Sequence, residues 1–583
     1  MSPHPIQRRA ALLDGGLGDP GNNGRLFSYA RCGALDEREE FPVEICRELD
    51  LLGLPRAYVP VAYGGELRRY DETLQLMRAV ARRDLTVAIA HGKTFLGAVS
   101  AWVGGTPEQA RALGTRIADG AVVSWGLTER EHGSDLLAGE VTAATHGDGY
   151  RVSGEKWLIN NANRGELVCL LARTDADASA GARGFSLLLV DKQALPRESW
   201  RPLPSVKLHG IRGADIGGLS FTDAPVPGSA LVGTEGAGAE IVLKSLQLTR
   251  TLCASLSLGA ADNALDLAVG FARHRQAYGH RLLELPQTRR LLARSYADVL
   301  LCEALTLVSA RSIHALTGEL SVVSAVAKYL VPTVVDEVLA RLGTVLGARS
   351  LLAGDTWEHG RFQKVQRDHR IVGTFDGNTL VNLHALVNHF SLLVRHSRKR
   401  TEDAAGLAAA TALHAPLPEF DREGLSLLPR TGSSLTQSLA GAVAEITAEA
   451  AAGGVPASLA AAAQQLLVEA DAVLEAMAGH RPTAVAVPAR AFTTAERYTA
   501  VHAGSASLHL WLRNRHALDD GAGLWSGGLW LEAALTRVLA RLQPAGLSAH
   551  DEVLDRLVPH LTAQHAGGRL PSLLPYSLVK DSA

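Results

Sequence analysis

Thr128-Glu129 and His132-Gly133-Ser134-Asp135 gather hydroxyls, carboxylates and a glycine in one short stretch. Such a loop lets backbone amides approach a polar ligand closely, because Gly133 has no Cβ in the way. The same residue types also make ordinary turns. In Gly373-Thr374-Phe375-Asp376-Gly377-Asn378-Thr379 a carboxylate stands ahead of a glycine, again a turn pattern. Arg275 is a guanidinium of the kind that matches phosphate oxygens in two-pronged fashion, or a solvated charge at a helix end. His132, His369, His384 and His389 have no ligand-like neighbours and read as structural or surface residues. Five scattered cysteines, Cys32, Cys46, Cys169, Cys253 and Cys302, lack metal-ligand or disulfide spacing, so no metal site is expected.

The elements that must position these groups fall into three textures. Up to about residue 120 the chain reads as helical: Asp36 to Leu52 ended by Gly53, then Asp71 to Arg83 and Thr86 to Val103. Another helix opens at Thr106, with Pro107 at the first position and Gln109 completing a capping box. Residues 121–232 read as antiparallel β-meander: Val141 to Ala144, Tyr150 to Ser153 and Trp157 to Asn160 are rich in β-branched and aromatic residues. Gly147-Asp148-Gly149 and Gly154-Glu155 punctuate them as turns. From residue 233 to 400, Leu246 to Arg273, Gln287 to Thr317, Ser321 to Leu346 and Leu380 to Val394 suit a four-helix bundle, with Pro332 kinking the third. Thr401 to Glu419 looks like a linker, and residues 401–583 form a further helical extension. The fold class is therefore mainly α with a central β-domain.

A chain of 583 residues is too long for one core and suggests three or four domains. With 47% apolar and 20% charged residues and a net charge of −2, nothing favours nucleic acid or an anionic membrane as partner. Residues 402–583 carry 18 acidic against 12 basic residues, which argues against nucleic acid there too. The first residues lack a signal-peptide core, and unpatterned cysteines suit a reducing compartment, so the cytoplasm is the expected location.

Leu127-Thr128-Glu129, Gly133-Ser134-Asp135 and the spaced Gly154, Lys156, Ile159 and Asn161 stand in an order that resembles the acyl-CoA dehydrogenases. Leu52-Gly53-Leu54 with Val59 to Gly65 precede them; Gly210 to Asp215, Phe221 to Pro227, Arg275 to Gly279 and Arg367 to Ile371 follow. The resemblance covers roughly residues 35 to 397. It implies an N-terminal helical domain, a β-barrel-like middle domain and a four-helix bundle, with FAD between the last two. Leu127 and Thr128 would meet the flavin edge, Gly133 and Ser134 its ribityl and phosphate groups. Arg275 would pair with the pyrophosphate of a cofactor held by a neighbouring subunit, with Tyr278 near its adenine side. Asn160, Gly347, Asn378 and Thr379 complete the implied cofactor set; Ser134, Arg250 and Gly377 are the implied substrate contacts.

The sequence departs from the family pattern at informative places. Arg130 stands for the usual Pro, Leu158 for an aromatic, Asn160 for Thr or Ser, and Thr344 to Ala348 for Gln-x-x-Gly-Gly. Most members place a Glu where Asp376 stands, and a second branch carries its base where this chain has Thr249. Asp376 is thus the implied base. The resemblance implies FAD-dependent α,β-dehydrogenation of an acyl thioester carried by coenzyme A or an acyl carrier protein. It further implies an electron-transfer flavoprotein as acceptor and a homodimer or homotetramer. A shorter base also suits a flavin oxidase or monooxygenase like the nitroalkane oxidases, and a non-catalytic flavin-binding protein is the third possibility.

Overall fold

The computed structural model describes residues 3–483, 486–518, 524–543 and 551–581. The chain divides into two compact units: Arg31–Arg68 with Asp84–Thr249, and Met1–Ala30 with Arg69–Arg83 and Arg250–Ala583.

The smaller unit is built on eight strands: β1 Val123–Gly126, β2 Thr142–His146, β3 Gly149–Asn160, β4 Leu167–Arg173, β5 Phe185–Asp191, β6 Trp200–Leu203, β7 Ile216–Pro227 and β8 Leu231–Val232. They pair in the order β6-β7-β3-β2-β4-β5-β8, and β1 runs parallel to β4. Val141, Val152, Val168, Leu170, Leu188, Leu219 and Phe221 form the buried core of this sheet. The expected break at Gly154-Glu155 is absent. β3 is one strand of 12 residues, and its register against β7 slips between Val152 and Gly154 and again between Trp157 and Ile159. At the first slip the extra residue lies on β7, where Asp223 is left-handed (φ 47°), and at the second it is Leu158 (φ 56°) on β3, each a β-bulge.

Helices of this unit follow their local signals with two exceptions. Asp84 caps Leu85–Gly104 by accepting from Val87 N at 2.9 Å. Thr106 caps Pro107–Ala118, but Gln109 turns its amide to the carbonyls of Ser229 and Leu231, so only half the capping box forms. The helix expected from Asp36 starts only at Val43 and ends at Leu51. Pro42 lacks a backbone N–H and disfavours helical geometry in the residue before it.

The larger unit contains the expected long helices: the later part of Gly238–His274, then Pro286–Ala315, Leu320–Leu346 and Thr379–Lys399. Leu320–Leu346 runs unbroken through Pro332. Gly238–His274 is long and apolar enough to cross a membrane, but its apolar stretch is 94% buried, as in a core helix. Pro286–Ala315 is buried on all sides from Ser295 to His314 and is packed by helices of the C-terminal extension, among them Ala404–Thr411, Ala489–Asn514, Leu529–Leu542 and Asp551–Ala566. Its buried charges are met by the extension together with Asp71, Arg78 and Arg341 ahead of it. Asp298 takes Arg537 at 2.9 Å, and Glu303 takes Ser572 Oγ at 2.5 Å, Leu573 N at 2.8 Å and, from Tyr70–Arg83, Arg78 at 2.7 Å. Arg311 pairs with Asp71 at 3.0 Å and donates to the carbonyls of Ala409, Ala410, Ala412 and Ala415. The expected linker at Thr401 to Glu419 is therefore a packed element. Asp403 caps its helix, and Arg311 satisfies carbonyls at and beyond the helix end.

Candidate active site

In the smaller unit, Leu127 and Thr128 leave β1 and are locked to β3. Trp157 N donates to Thr128 O at 3.0 Å, and Thr128 Oγ1 donates to Trp157 O at 2.8 Å. Behind them Lys156, buried, donates to Leu127 O at 3.0 Å and Glu129 Oε1 at 2.8 Å. Glu129 also accepts from the amides of Glu140 and Val141. Burial pushes the Glu129 carboxyl up, but Lys156 and those amides outweigh it and hold its pKa below the usual range. For Lys156, burial dominates over the pull of Glu129 and lowers its pKa. Past this brace the loop opens: Gly133 and Ser134 are exposed, and a Cβ on Gly133 would meet nothing within 4 Å. The bulge turns Leu158 to solvent at 44% exposure, while Trp157 lies under the Arg130 guanidinium at 4.5 Å. Strand alternation, which would separate the two by face, does not apply across a bulge.

In the larger unit the acid stands on a strained turn between Arg361–His369 and Thr379–Lys399. Asp376 has φ 57°, left-handed for a residue with a Cβ. Gly377, at φ 93°, has Arg250 so close that an added Cβ would lie 2.8 Å from its Nη2. Arg250 Nε donates to Asp376 O at 2.8 Å, and Lys328, 1% exposed, donates to Val372 O at 2.6 Å and Gly377 O at 3.2 Å. Asn382 adds bonds to the carbonyls of Gly377 and Asn378. Burial lowers the Arg250 pKa, opposed by Asp376 and Cys253. The Asp376 carboxylate, partly exposed, accepts from Cys253 Sγ at 3.5 Å.

The other residues named from the sequence are placed as follows. Asn378 caps Thr379–Lys399 by accepting from Val381 N at 2.9 Å, and Thr379 is the first helical residue. Gly347 ends Leu320–Leu346 at φ 59° with open space at its Cβ position. Arg275 is exposed beside a hairpin whose tip, Tyr278 (φ 56°) and Gly279 (φ 80°), has the two left-handed residues of a type I′ turn. Tyr278 is 92% exposed. Thr249 is buried with its hydroxyl turned to Leu246 O, so it offers no base.

These residues fit a dinucleotide cofactor on two observations within the smaller unit. Asn160 Oδ1 is buried without a hydrogen-bond partner among the described residues, and such an acceptor calls for a donor from a ligand or water. Gly133 and Ser134 present open backbone on the adjoining loop.

The sequence reading missed the braces: Lys156 with Glu129, Lys328, and Cys253. Their partners lie 27, 44 and 123 residues away, beyond any local pattern. It also missed that His369 links Ser257 Oγ at 2.8 Å to Asp336 Oδ1 at 2.7 Å. Ser257 is fully buried, so this serine, histidine and aspartate chain ties elements together and presents no nucleophile.

Family models for the N-terminal, middle and C-terminal domains of acyl-CoA dehydrogenases match residues 29–121, 124–224 and 236–390. A probable acyl-CoA dehydrogenase of Mycobacterium bovis is 26% identical over 348 residues, covering 60% of this chain and 87% of that protein. Cyclohex-1-ene-1-carbonyl-CoA dehydrogenase of Syntrophus aciditrophicus is 29% identical over 293 residues, covering 48% and 67%. Among solved structures, butyryl-CoA dehydrogenase from Megasphaera elsdenii superposes with a TM-score of 0.60 at 23% identity, covering 67% of this chain and 99% of that one. A prolyl acyl carrier protein oxidase gives 0.59 at 17% identity, covering 66% and 98%. The chain belongs to the acyl-CoA dehydrogenase family of FAD-dependent oxidoreductases, and carries a helical extension beyond the family match.

Proposed function

We propose that this chain binds FAD and oxidises an acyl thioester to its α,β-unsaturated form, with Asp376 as the base. The observation that carries the reading is the Asp376 turn: a partly exposed carboxylate on a left-handed residue whose backbone is fixed by Arg250 and whose turn is fixed by Lys328. Strain of this kind persists only where surrounding contacts over-determine it, and it concentrates at functional sites. Bound flavin supplies the acceptor for the hydride that leaves the β-carbon. Asp376 takes the α-proton onto a carboxylate oxygen. Leu127, Thr128, Gly133, Ser134 and Asn160 in the smaller unit, and Gly347, Asn378 and Thr379 in the larger, hold the cofactor. Arg275 and Tyr278, exposed on their hairpin, serve the cofactor of a neighbouring subunit, which makes the enzyme a homodimer or homotetramer. Ser134, Arg250 and Gly377 face the substrate's polar arm. The acyl carrier is coenzyme A or a carrier protein, and electrons leave to an electron-transfer flavoprotein.

The test is anaerobic titration of purified protein with a panel of acyl-CoA and carrier-bound acyl thioesters, read in the visible flavin band, for wild type and Asp376→Asn. Bleaching in wild type and its loss in Asp376→Asn support the reading. A flavin that no thioester bleaches would show a binding protein without turnover. Oxygen consumption with peroxide release and no added acceptor would show an oxidase, the second reading that a shortened base allows.

A further inference from the structure

We infer that Cys253 is a positioning residue for Asp376, its thiol aiming the carboxylate that receives the substrate proton. This rests on the reading of Asp376 as the base.

Arg250 and Cys253 are three residues apart on one helix, so they share a face. Arg250 fixes the Asp376 backbone through its carbonyl at 2.8 Å, and Cys253 meets the carboxylate itself, Sγ to Oδ2, at 3.5 Å. Backbone and head group of the acid are thus held from consecutive turns of one buried helix. Cys253 is 2% exposed, so its thiol is fixed by packing.

The choice of a thiol follows from what a base requires. A carboxylate bonded tightly by a cation is oriented but loses basicity, because the partner stabilises the ionised form. A thiol is a weak donor and a weak acceptor. It orients Oδ2 through a weak bond, and once the carboxylate is protonated the contact reverses, the new O–H donating to sulfur. One proton moves from carbon to an Asp376 oxygen; sulfur is neither oxidised nor reduced. Aspartate, with one methylene fewer than glutamate, is the acid for which such aim counts, since a displacement of about 1 Å costs about 10²-fold in rate.

Two measurements on the full-length holoenzyme test this. The first needs no substrate: the S–H stretching band lost in Cys253→Ser identifies Cys253 among the five free cysteines. That band is expected to shift in Asp376→Asn; an unmoved band overturns the contact. The second uses butyryl-, isovaleryl- and octanoyl-CoA in steady-state kinetics. Cys253→Ala is expected to lower kcat about 10-fold with KM within about twofold. Cys253→Ser, a stronger donor, is expected to restore most of kcat. Unchanged kcat in Cys253→Ala, with Asp376→Asn inactive, overturns the inference and leaves the base standing. Turnover surviving in Asp376→Asn overturns both. If wild type oxidises none of the three, the infrared result alone decides the contact.

Discussion

Arg250 donates its Nε proton to the backbone carbonyl of Asp376 at 2.8 Å, so the guanidinium braces the turn that carries the acid before it meets any substrate. Replacing Arg250 with Met leaves that carbonyl without its donor and loosens the turn. A lost bond of this kind costs about 1–3 kcal/mol, and the resulting misplacement about 10²-fold in kcat. Stopped-flow bleaching of the flavin measures the second and denaturant melts the first. An unchanged bleaching rate would sink the bracing role.

Gly377→Ala tests the same turn from its other side. The new Cβ sits 2.8 Å from Arg250 Nη2 on a residue at φ 93°, so both sterics and backbone oppose it. A loss of about 1–3 kcal/mol is expected, together with a fall in activity. Gly133→Ala, where a Cβ meets open space, is the control and is expected to melt as wild type does.

Acid weakens the larger unit over a definite range. Burial holds His389, His502 and His509 neutral, with pKa values pushed down from 6.5 to about 4, and His314 likewise. The unfolded chain binds these protons near pH 6.5 and the folded one only near 4, so the unfolded state holds more protons in between. Their contribution is intact above about pH 6.5 and drains as pH falls towards about 4. Melting temperature against pH should slope steeply there, and His389→Leu should flatten the slope by about one proton.

Lys156 and Glu129 form a buried pair behind the Leu127-Thr128 loop. Lys156→Met strands the carboxylate and should cost about 3–5 kcal/mol, which Glu129→Gln in the same chain should partly restore. Flavin retention on gel filtration reports whether the loop follows. Equal melting of Lys156→Met and wild type would refute the brace.

Ending the chain after Gly568 removes Ser572 and Leu573 from Glu303, and Tyr576 from Asp14, which it meets at 2.6 Å. Hydrogen bonds to charged groups are worth about 1.5–3 kcal/mol each, so the shortened chain should unfold at markedly lower denaturant. A coincident midpoint would show the tail to be dispensable.

Regular helices were legible because periodicity and caps are local. Gln287 to Thr317 and Ser321 to Leu346 were read almost to the residue, and Thr106 with Pro107 marked its helix start. What failed depended on partners or on backbone detail. The bulge at Leu158 leaves no composition signal, since Trp157 to Asn160 reads as a strand with or without it. Thr401 to Glu419 looked like a linker because alanine and proline give no packing signal; Arg311, about a hundred residues earlier in the chain, binds it down. Of the candidate site, the acid and the small-residue loop could be named from motif order. Lys328 and Cys253 could not, because helical positions among apolar neighbours look like core until the fold brings a turn against them.

The helix Pro286–Ala315 holds Asp298, Glu303 and Arg311, which find Arg341, Arg78 and Asp71 ahead of the extension and complete their bonding only with Arg537, Ser572 and the carbonyls of Ala409 to Ala415 in the extension. Those three letters therefore act as a fingerprint for architecture. Relatives that keep them in this register should also bear a long C-terminal third, and relatives that end at the bundle should spell neutral residues there. The short and long forms of the family are then separable by reading a single helix.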